Sequence, residues 1–105
     1  MIAPSKRRLH VAPESRPVLA RHARLKHDEA RGRWVLLVPE RILAPDPIAI
    51  EILQLCDGER DVNAIVDALA IKFVADREVI AADVVELLQD LADKGFVIAA
   101  REKSQ

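Results

Sequence analysis

The sequence has few of the residues that build redox, metal or base-stacking sites. Its 105 residues include one cysteine, three glycines, two phenylalanines, one tryptophan and no tyrosine. One cysteine cannot form an internal disulfide or a cysteine-rich zinc site, and so few aromatic rings leave little surface for stacking on bases. No apolar run approaches the ~18 residues of a membrane span, and no signal-peptide-like apolar stretch precedes Arg16. We therefore expect a cytoplasmic protein that does not associate with membranes.

The net charge of −1 hides a division of the chain into two halves. Residues 1–45 contain ten Lys and Arg against four Asp and Glu, whereas residues 46–105 contain six against thirteen. Half of all residues are apolar, which is enough for one small core. The composition indicates a single domain made of a basic half followed by an acidic half.

The basic half is predicted to form an arm and then a three-stranded sheet. Residues 1–16 contain prolines and a basic triplet but no apolar periodicity, which predicts a flexible arm or a fusion linker. Apolar stretches on either side of a turn predict a hairpin with strands near 23–27 and 33–38. A third strand over 41–44 is short and is stopped by two prolines, which favours an edge position.

The acidic half is predicted to be helical. Apolar residues at helical spacing predict three helices, over about 47–56, 61–73 and 80–94. Asp46 and Asp61 suit the N-cap positions, and Gly95 suits the end of the third helix. Residues 76–79 are predicted to connect the second and third helices, and the apolar residues 96–98 to pack back on the body. The fold class is α+β and winged helix-turn-helix-like, with a three-stranded antiparallel sheet followed by three helices.

The residues that could carry catalysis are isolated from one another. His10, His22 and His27 alternate with Arg and Lys at no metal-ligating spacing, so we interpret them as solvated surface side chains. Cys56 closes an apolar helical face and is predicted to be a buried structural thiol. Asp57 and Gly58 mark a helix end rather than a phosphate loop. We therefore expect no enzyme activity, no cofactor and no metal.

A winged-helix layout makes DNA binding an alternative function, with the third helix in the recognition position. The segment 76–94 has six acidic and two basic residues, however, and would be repelled by phosphates. We therefore expect no nucleic-acid partner. A general protein-interaction domain stays open as a second alternative.

The third helix also has an unusually wide apolar face. A second apolar line lies beside the expected core stripe of Val84, Leu87, Leu88 and Leu91; its members are Ala81, Val85, Leu88 and Ala92. One interpretation is tight packing in a short domain. The other is a groove between this helix and the open edge of the third strand, where a partner peptide adds a strand.

Three stretches carry a resemblance to a known family. They read RPVLARHARLKHDEARGRWVLLVPE, EILQLCDGERDVNAIVDAL and DVVELLQDLADKGFV. Within them the characteristic positions, in order, are Arg16 and Pro17, Arg24 and Leu25, Arg31 and Gly32, Leu37 to Pro39 and Glu40, Leu55 to Gly58, and Asp83, Val84, Leu87, Leu91 and Gly95. Over about 17–98 the chain resembles the pyrroloquinoline quinone (PQQ) biosynthesis protein D family. It departs from the family pattern at Arg41, where glycine is usual, and at Asp46, where asparagine is usual.

The resemblance implies a noncatalytic peptide chaperone, a recognition element for a ribosomally made precursor peptide. Proteins of this kind bind the leader of the precursor and present it to a radical S-adenosylmethionine (SAM) enzyme. The peptide-binding domain would span 17–99, followed by a tail over 100–105. An open edge strand also allows a homodimer or a strand-swapped dimer.

The resemblance also implies where the leader would bind, as an added strand between the third strand and the third helix. Backbone hydrogen bonds would come from Arg41, Ile42, Leu43 and Ala44. The groove would be lined by Ala81, Val85, Leu88, Gln89 and Ala92. The surface that meets the enzyme is not determined by this resemblance, although the basic hairpin is a candidate.

Overall fold

A computed structural model describes residues 9–100 of the chain. In chain order the elements are β1 (Pro17–Leu19), β2 (Arg24–Asp28), β3 (Arg33–Val38), β4 (Arg41–Leu43), α1 (Pro47–Gln54), α2 (Val62–Phe73), α3 (Arg77–Asp93) and β5 (Val97–Ala99). The predicted α+β class, with a three-stranded antiparallel sheet followed by three helices, is confirmed. Its likeness to a winged helix stays a prediction.

The main sheet has the strand order β2-β3-β4 and is antiparallel throughout. Leu25 pairs with Leu36 and Leu36 pairs with Leu43, so three leucines share the face that packs on the helices. The predicted hairpin is confirmed, and its turn is closed by the Gly32 N–H, which donates to the Asp28 carbonyl at 2.8 Å. The strand order makes β2 and β4 the two edge strands, so the edge position that the two prolines favoured for the third strand is confirmed.

The turn between β3 and β4 contains two residues, because Val38 pairs with Arg41. Glu40 has a φ of 68°, a left-handed conformation that costs energy for a residue with a side chain. Arg41, at the position where the family that the sequence resembles usually has glycine, is already the first residue of β4. The departure from the family pattern therefore leaves the turn into the edge strand intact.

A second sheet, formed by β1 and β5, was not predicted from the sequence. Leu19 pairs with Val97 and Pro17 with Ala99, so the start of the domain is joined to its end. Each strand has three residues, too few for a visible alternation, and their pairing partners are about 80 positions apart in the chain. The apolar residues 96–98 do pack on the body, with Phe96 and Val97 buried, but they do so partly as a strand.

Each helix begins at an aspartate whose carboxylate accepts a backbone N–H of the first turn. Asp46, Asp61 and Asp76 accept from Ala49, Ala64 and Glu78. The first two caps were predicted. The predicted connection at 76–79 is wrong, because Asp76 caps α3 and the helix begins at Arg77.

The core lies between the main sheet and the three helices. Its fully buried side chains include Leu36 from the sheet, Ile52 from α1, Ile65 and Val66 from α2, and Val84 and Leu88 from α3. Cys56 is also buried, as predicted, and its thiol donates to the Ile52 carbonyl at 3.3 Å. None of the helices in this part of the chain is long and apolar enough to span a membrane.

Candidate functional site

The outer edge of β4 is one of the two open edges of the main sheet, and β2 forms the other. β3 pairs with one side of β4, and no strand within residues 9–100 pairs with the other. Arg41 and Ile42 are exposed, Leu43 is half-buried against the core, and Ala44 is exposed just after the strand. Of these four predicted binding residues, three belong to an edge strand whose free backbone groups could accept another strand.

Beside the chain that leaves β4, a groove of about 820 Å³ lies between α1 and α3. From α1 and its cap it is lined by Asp46, Ile48, Ala49 and Ile52. From α3 it is lined by Asp83, Glu86, Leu87, Gln89, Asp90 and Asp93. The groove therefore has an apolar strip bordered by carboxylates.

This groove lies between α1 and α3, whereas the predicted groove lies between the third strand and α3, and the two involve different flanks of α3. Asp83, Leu87 and Asp90 recur at i, i+4 and i+7 and share the flank that faces α1. Ala81 and Val85 are half-buried against the core, and neither lines the groove. The pattern of one leucine between two aspartates was visible in the sequence, but Leu87 was interpreted only as part of the core stripe.

Two further predicted groove residues lie inside the protein. Leu88 is 0% exposed and Ala92 is 2% exposed, and both belong to the core cluster. In this structure neither side chain presents a surface to a peptide. Gln89 is the one member of the predicted helical set that lines the groove. The wide apolar face of α3 is therefore explained largely by tight packing.

The groove is negatively charged. The Asp46 carboxylate accepts the Ala49 N–H as the N-cap of α1, and the Asp90 carboxylate forms an ion pair with Lys94 at 3.1 Å. Asp83 and Glu86 form no ion pair with any residue in the described region. Because these carboxylates border an apolar strip, the groove suits a peptide that has both basic and apolar side chains.

A second cavity, of about 900 Å³, lies at the end of the domain where β1 and β5 meet the turn after α1. Val18, Asp57, Gly58 and Ala99 are among the residues that line it. Backbone N–H groups of Arg60 and Glu59 donate to Asp57 and lower the pKa of its carboxyl group. Those bonds shape the turn, and none of the predicted binding residues lies in this cavity.

His22, His27 and the Cys56 thiol have surroundings that suit structural roles. His22 packs edge-on against Phe96, and His27 packs edge-on against Trp34. Burial, together with the nearby Asp57 carboxylate, raises the pKa of the Cys56 thiol to about 12. Between residues 9 and 100, no three His, Cys, Asp or Glu side chains are grouped so that they could hold a metal ion.

The family model described as coenzyme PQQ synthesis protein D (PqqD) matches residues 33–97, from β3 to the start of β5. The chain belongs to the PqqD family. The resemblance found in the sequence is therefore confirmed, and the matched region contains both β4 and the α1–α3 groove.

Relatives match nearly the whole chain. A protein of Rhodopseudomonas palustris (strain TIE-1) named PqqA binding protein is 69% identical over 96 residues, which cover 91% of this chain and 94% of the relative. One of Gluconobacter oxydans (strain 621H) with the same name is 44% identical over 89 residues, covering 84% and 93%. The similarity to PqqD proteins thus extends well beyond the residues that the family model matches.

Two solved PqqD structures have the same fold. The solution structure of the PqqD part of Methylobacterium extorquens PqqCD superposes with a TM-score of 0.72 at 36% identity, covering 84% of this chain and 94% of that one. It is described as a functional and stand-alone recognition element for ribosomally synthesized and post-translationally modified peptides. The crystal structure of Xanthomonas campestris PqqD gives a TM-score of 0.51 at 41% identity, covering 81% and 94%.

Proposed function

We propose that this protein is a noncatalytic, cytoplasmic peptide chaperone of PQQ biosynthesis. It binds the leader of the PqqA precursor peptide and presents that peptide to the radical SAM enzyme of the pathway. The observation that carries the proposal is the open edge of β4, together with the α1–α3 groove whose lining begins at Asp46, three residues after the strand. The names of the relatives, which describe PqqA binding, support the identity of the peptide.

The open edge favours binding by strand addition. An extended peptide that pairs with β4 satisfies backbone N–H and C=O groups that otherwise face solvent. Because Ile42 is 64% exposed on this strand, its side chain is free to contact a neighbouring strand. Residues 41–44 therefore remain the proposed backbone contacts.

The groove supplies contacts for the side chains of the added strand. Successive side chains of a strand point to opposite faces, so every second leader residue would face α3. Ile48 and Leu87 offer apolar contacts there, while Asp83 and Asp90 attract basic groups. Of the helical residues first proposed, Gln89 stays in this contact set; Leu88 and Ala92 support it from the core.

Presentation to an enzyme needs a surface that the leader leaves free. The hairpin offers one, because Arg24, Lys26 and Arg33 are exposed on β2 and β3, away from the edge at β4. These cations form no ion pair with other residues of the described segment. We propose this basic hairpin as the surface on which the partner enzyme docks.

The test is a titration of the isotope-labelled protein with a synthetic PqqA leader, followed by amide NMR signals. We expect shifts at residues 41–44 and on the Asp83, Leu87 and Asp90 flank of α3. Leaders methylated on single backbone nitrogens should lose affinity at every second position, because an added strand uses alternate N–H groups toward its neighbour. Shifts confined to the second cavity, or no periodicity in the methylation series, would contradict strand addition.

The DNA-binding alternative has its own control. A gel-shift titration with mixed-sequence duplex DNA should show no tight complex at physiological salt, because the acidic flank of α3 repels phosphates. Tight duplex binding, with no response to the leader, would replace the proposed function.

A further inference from the structure

Residues 9–16, here called the strap, cross the helices as an ordered segment before β1 begins. The sequence predicted a flexible arm over 1–16, and residues 1–8 lie outside the described part of the chain. Two carbonyl groups of the strap accept hydrogen bonds from α2. The Asn63 N–H donates to the Pro13 carbonyl at 3.0 Å, and the Val62 N–H donates to the Ser15 carbonyl at 2.8 Å. These two N–H groups belong to the first turn of α2, where helical N–H groups have no partner within the helix.

The first residues of the strap are held by the side-chain amide of Gln89 on α3. The Val11 N–H donates to Gln89 Oε1 at 2.9 Å, and Gln89 Nε2 donates to the Leu9 carbonyl at 2.9 Å. Gln89 Nε2 also donates to Asp93 at 3.0 Å, one turn further along the helix. One amide thus binds the backbone at two positions, residues 9 and 11, which lie on the same side of an extended segment.

The hydrogen bonds between Gln89 and the strap involve only backbone atoms of the strap. Leu9 and Val11 add half-buried apolar packing against the core, but both hydrogen bonds to Gln89 use backbone atoms. Any extended peptide with an apolar residue at alternate positions meets these requirements. The structure therefore contains a site for an extended peptide backbone that is occupied by the chain itself.

Gln89 also lines the α1–α3 groove, so the strap and the groove share a residue. In the strap-bound arrangement its carbonyl oxygen accepts from Val11, and its amino group donates to Leu9 and Asp93. Both amino hydrogens of Gln89 are then in use, so a carbonyl of a peptide in the groove can accept from this amide only after one of them is released.

We propose that Gln89 forms a backbone-reading peptide site on α3 that residues 9–11 occupy in the free protein, and that the leader competes with the strap for it. This inference rests on the proposed function and adds an internal competitor to it. The coupling is reciprocal: a bound leader loosens the strap, and a loosened strap favours the leader.

The size of the effect follows from the population of the released state. The apparent dissociation constant equals the intrinsic one divided by the fraction of molecules that are competent to bind. If the strap is closed in about two thirds to nine tenths of the molecules, full release lowers the apparent dissociation constant about three- to tenfold.

The test uses a pair of proline variants. Val11→Pro removes the N–H that donates to Gln89 and leaves Gln89 unchanged. His10→Pro is the matched control, because His10 is exposed and its N–H has no acceptor in the described structure. Leader affinity is measured by titration calorimetry, and the side-chain amide signals of Gln89 are followed by NMR in the same samples.

We expect Val11→Pro to shift the Gln89 side-chain signals without peptide and to lower the dissociation constant for the leader three- to tenfold. His10→Pro should match the wild-type protein in both measurements, and adding leader to the wild type should move the Gln89 signals toward those of Val11→Pro. Equal leader affinity in all three proteins, or a leader that leaves the Gln89 signals in place, would overturn the competition while the proposed function stands. A leader that binds none of the three proteins would overturn both.

Discussion

Ile42 lies opposite Leu37 in the antiparallel pair of β3 and β4, on the face of the main sheet that is turned away from the buried Leu36. Ile42 is 64% exposed, although isoleucine is normally a core residue. An added strand would place one of its side chains directly beside Ile42. The exposed isoleucine is therefore a sensitive position for testing whether a peptide pairs with this edge.

Replacing Ile42 with threonine should weaken leader binding without changing the fold. Threonine keeps the β-branched shape, so the free energy of unfolding should change by less than about 0.5 kcal/mol. Loss of one cross-strand apolar contact, worth about 0.2–1 kcal/mol, should raise the dissociation constant up to about fivefold. Val79→Thr is the control, since Val79 is also exposed, at 57%, but lies outside the groove. Equal affinity of the two variants would argue against pairing at β4.

The two flanks of α3 can be distinguished with glutamine, a good helix former. Leu87→Gln and Val85→Gln each remove a half-buried apolar side chain that packs against the core, so both should lose stability by about 1–2 kcal/mol. Only Leu87 lines the groove, so only Leu87→Gln should also weaken leader binding at a temperature where both variants are folded. If Val85→Gln weakened leader binding more than Leu87→Gln did, the leader would contact the flank of α3 that was first predicted from the sequence.

The difference between these flanks shows what the sequence can determine. Features that depend on neighbouring residues were predicted correctly. The N-caps at Asp46 and Asp61 and the turn that ends at Gly32 are examples, because each depends on residues only a few positions apart. The start of α3 was misplaced because Asp76 was assigned to a connection rather than to a cap.

The features that were missed depend on contacts between distant parts of the chain. Leu19 pairs with Val97 only because the completed domain brings its ends together. Likewise, Leu88 is buried in the core while Leu87 lines the groove beside α1, and no local pattern records which side of α3 a neighbouring helix covers. The sequence therefore indicated the edge strand and the helix, but not which side chains of α3 are exposed, and the binding residues themselves stay a prediction.

The charge of the groove can be tested at a helix cap. Asp46→Ser keeps a side-chain oxygen that caps α1 but removes a carboxylate from the groove. We expect a small change in stability and a weaker, less salt-dependent binding of a leader that carries basic residues. Asp61→Ser makes the same change at the cap of α2, away from the groove, and should leave both the affinity and its salt dependence as in the wild type.

Because the Cys56 thiol is buried, we expect the free energy of unfolding to fall at alkaline pH. Burial, and secondarily the Asp57 carboxylate, raises its pKa from 9.0 to about 12 in the folded protein. Above pH 9 the unfolded chain releases the thiol proton while the folded protein retains it, so the unfolded state is favoured as the pH rises toward 12. The slope approaches about 1.4 kcal/mol per pH unit in that window, and below pH 9 the thiol contributes no pH dependence.

Urea unfolding of the wild type and of Cys56→Ala at pH 8, 9.5 and 10.5 measures this contribution. The chain has no tyrosine, and lysine ionisation is common to both proteins, so the difference between their unfolding free energies isolates the thiol. That difference should be constant up to about pH 9, and above it the wild type should lose stability steadily relative to Cys56→Ala.

Iodoacetamide should correspondingly modify Cys56 quickly only after unfolding, because the thiolate is the reactive form and burial suppresses it. A difference that stays constant to pH 10.5, together with rapid modification of the folded protein, would show that the thiol is accessible to solvent rather than part of the core.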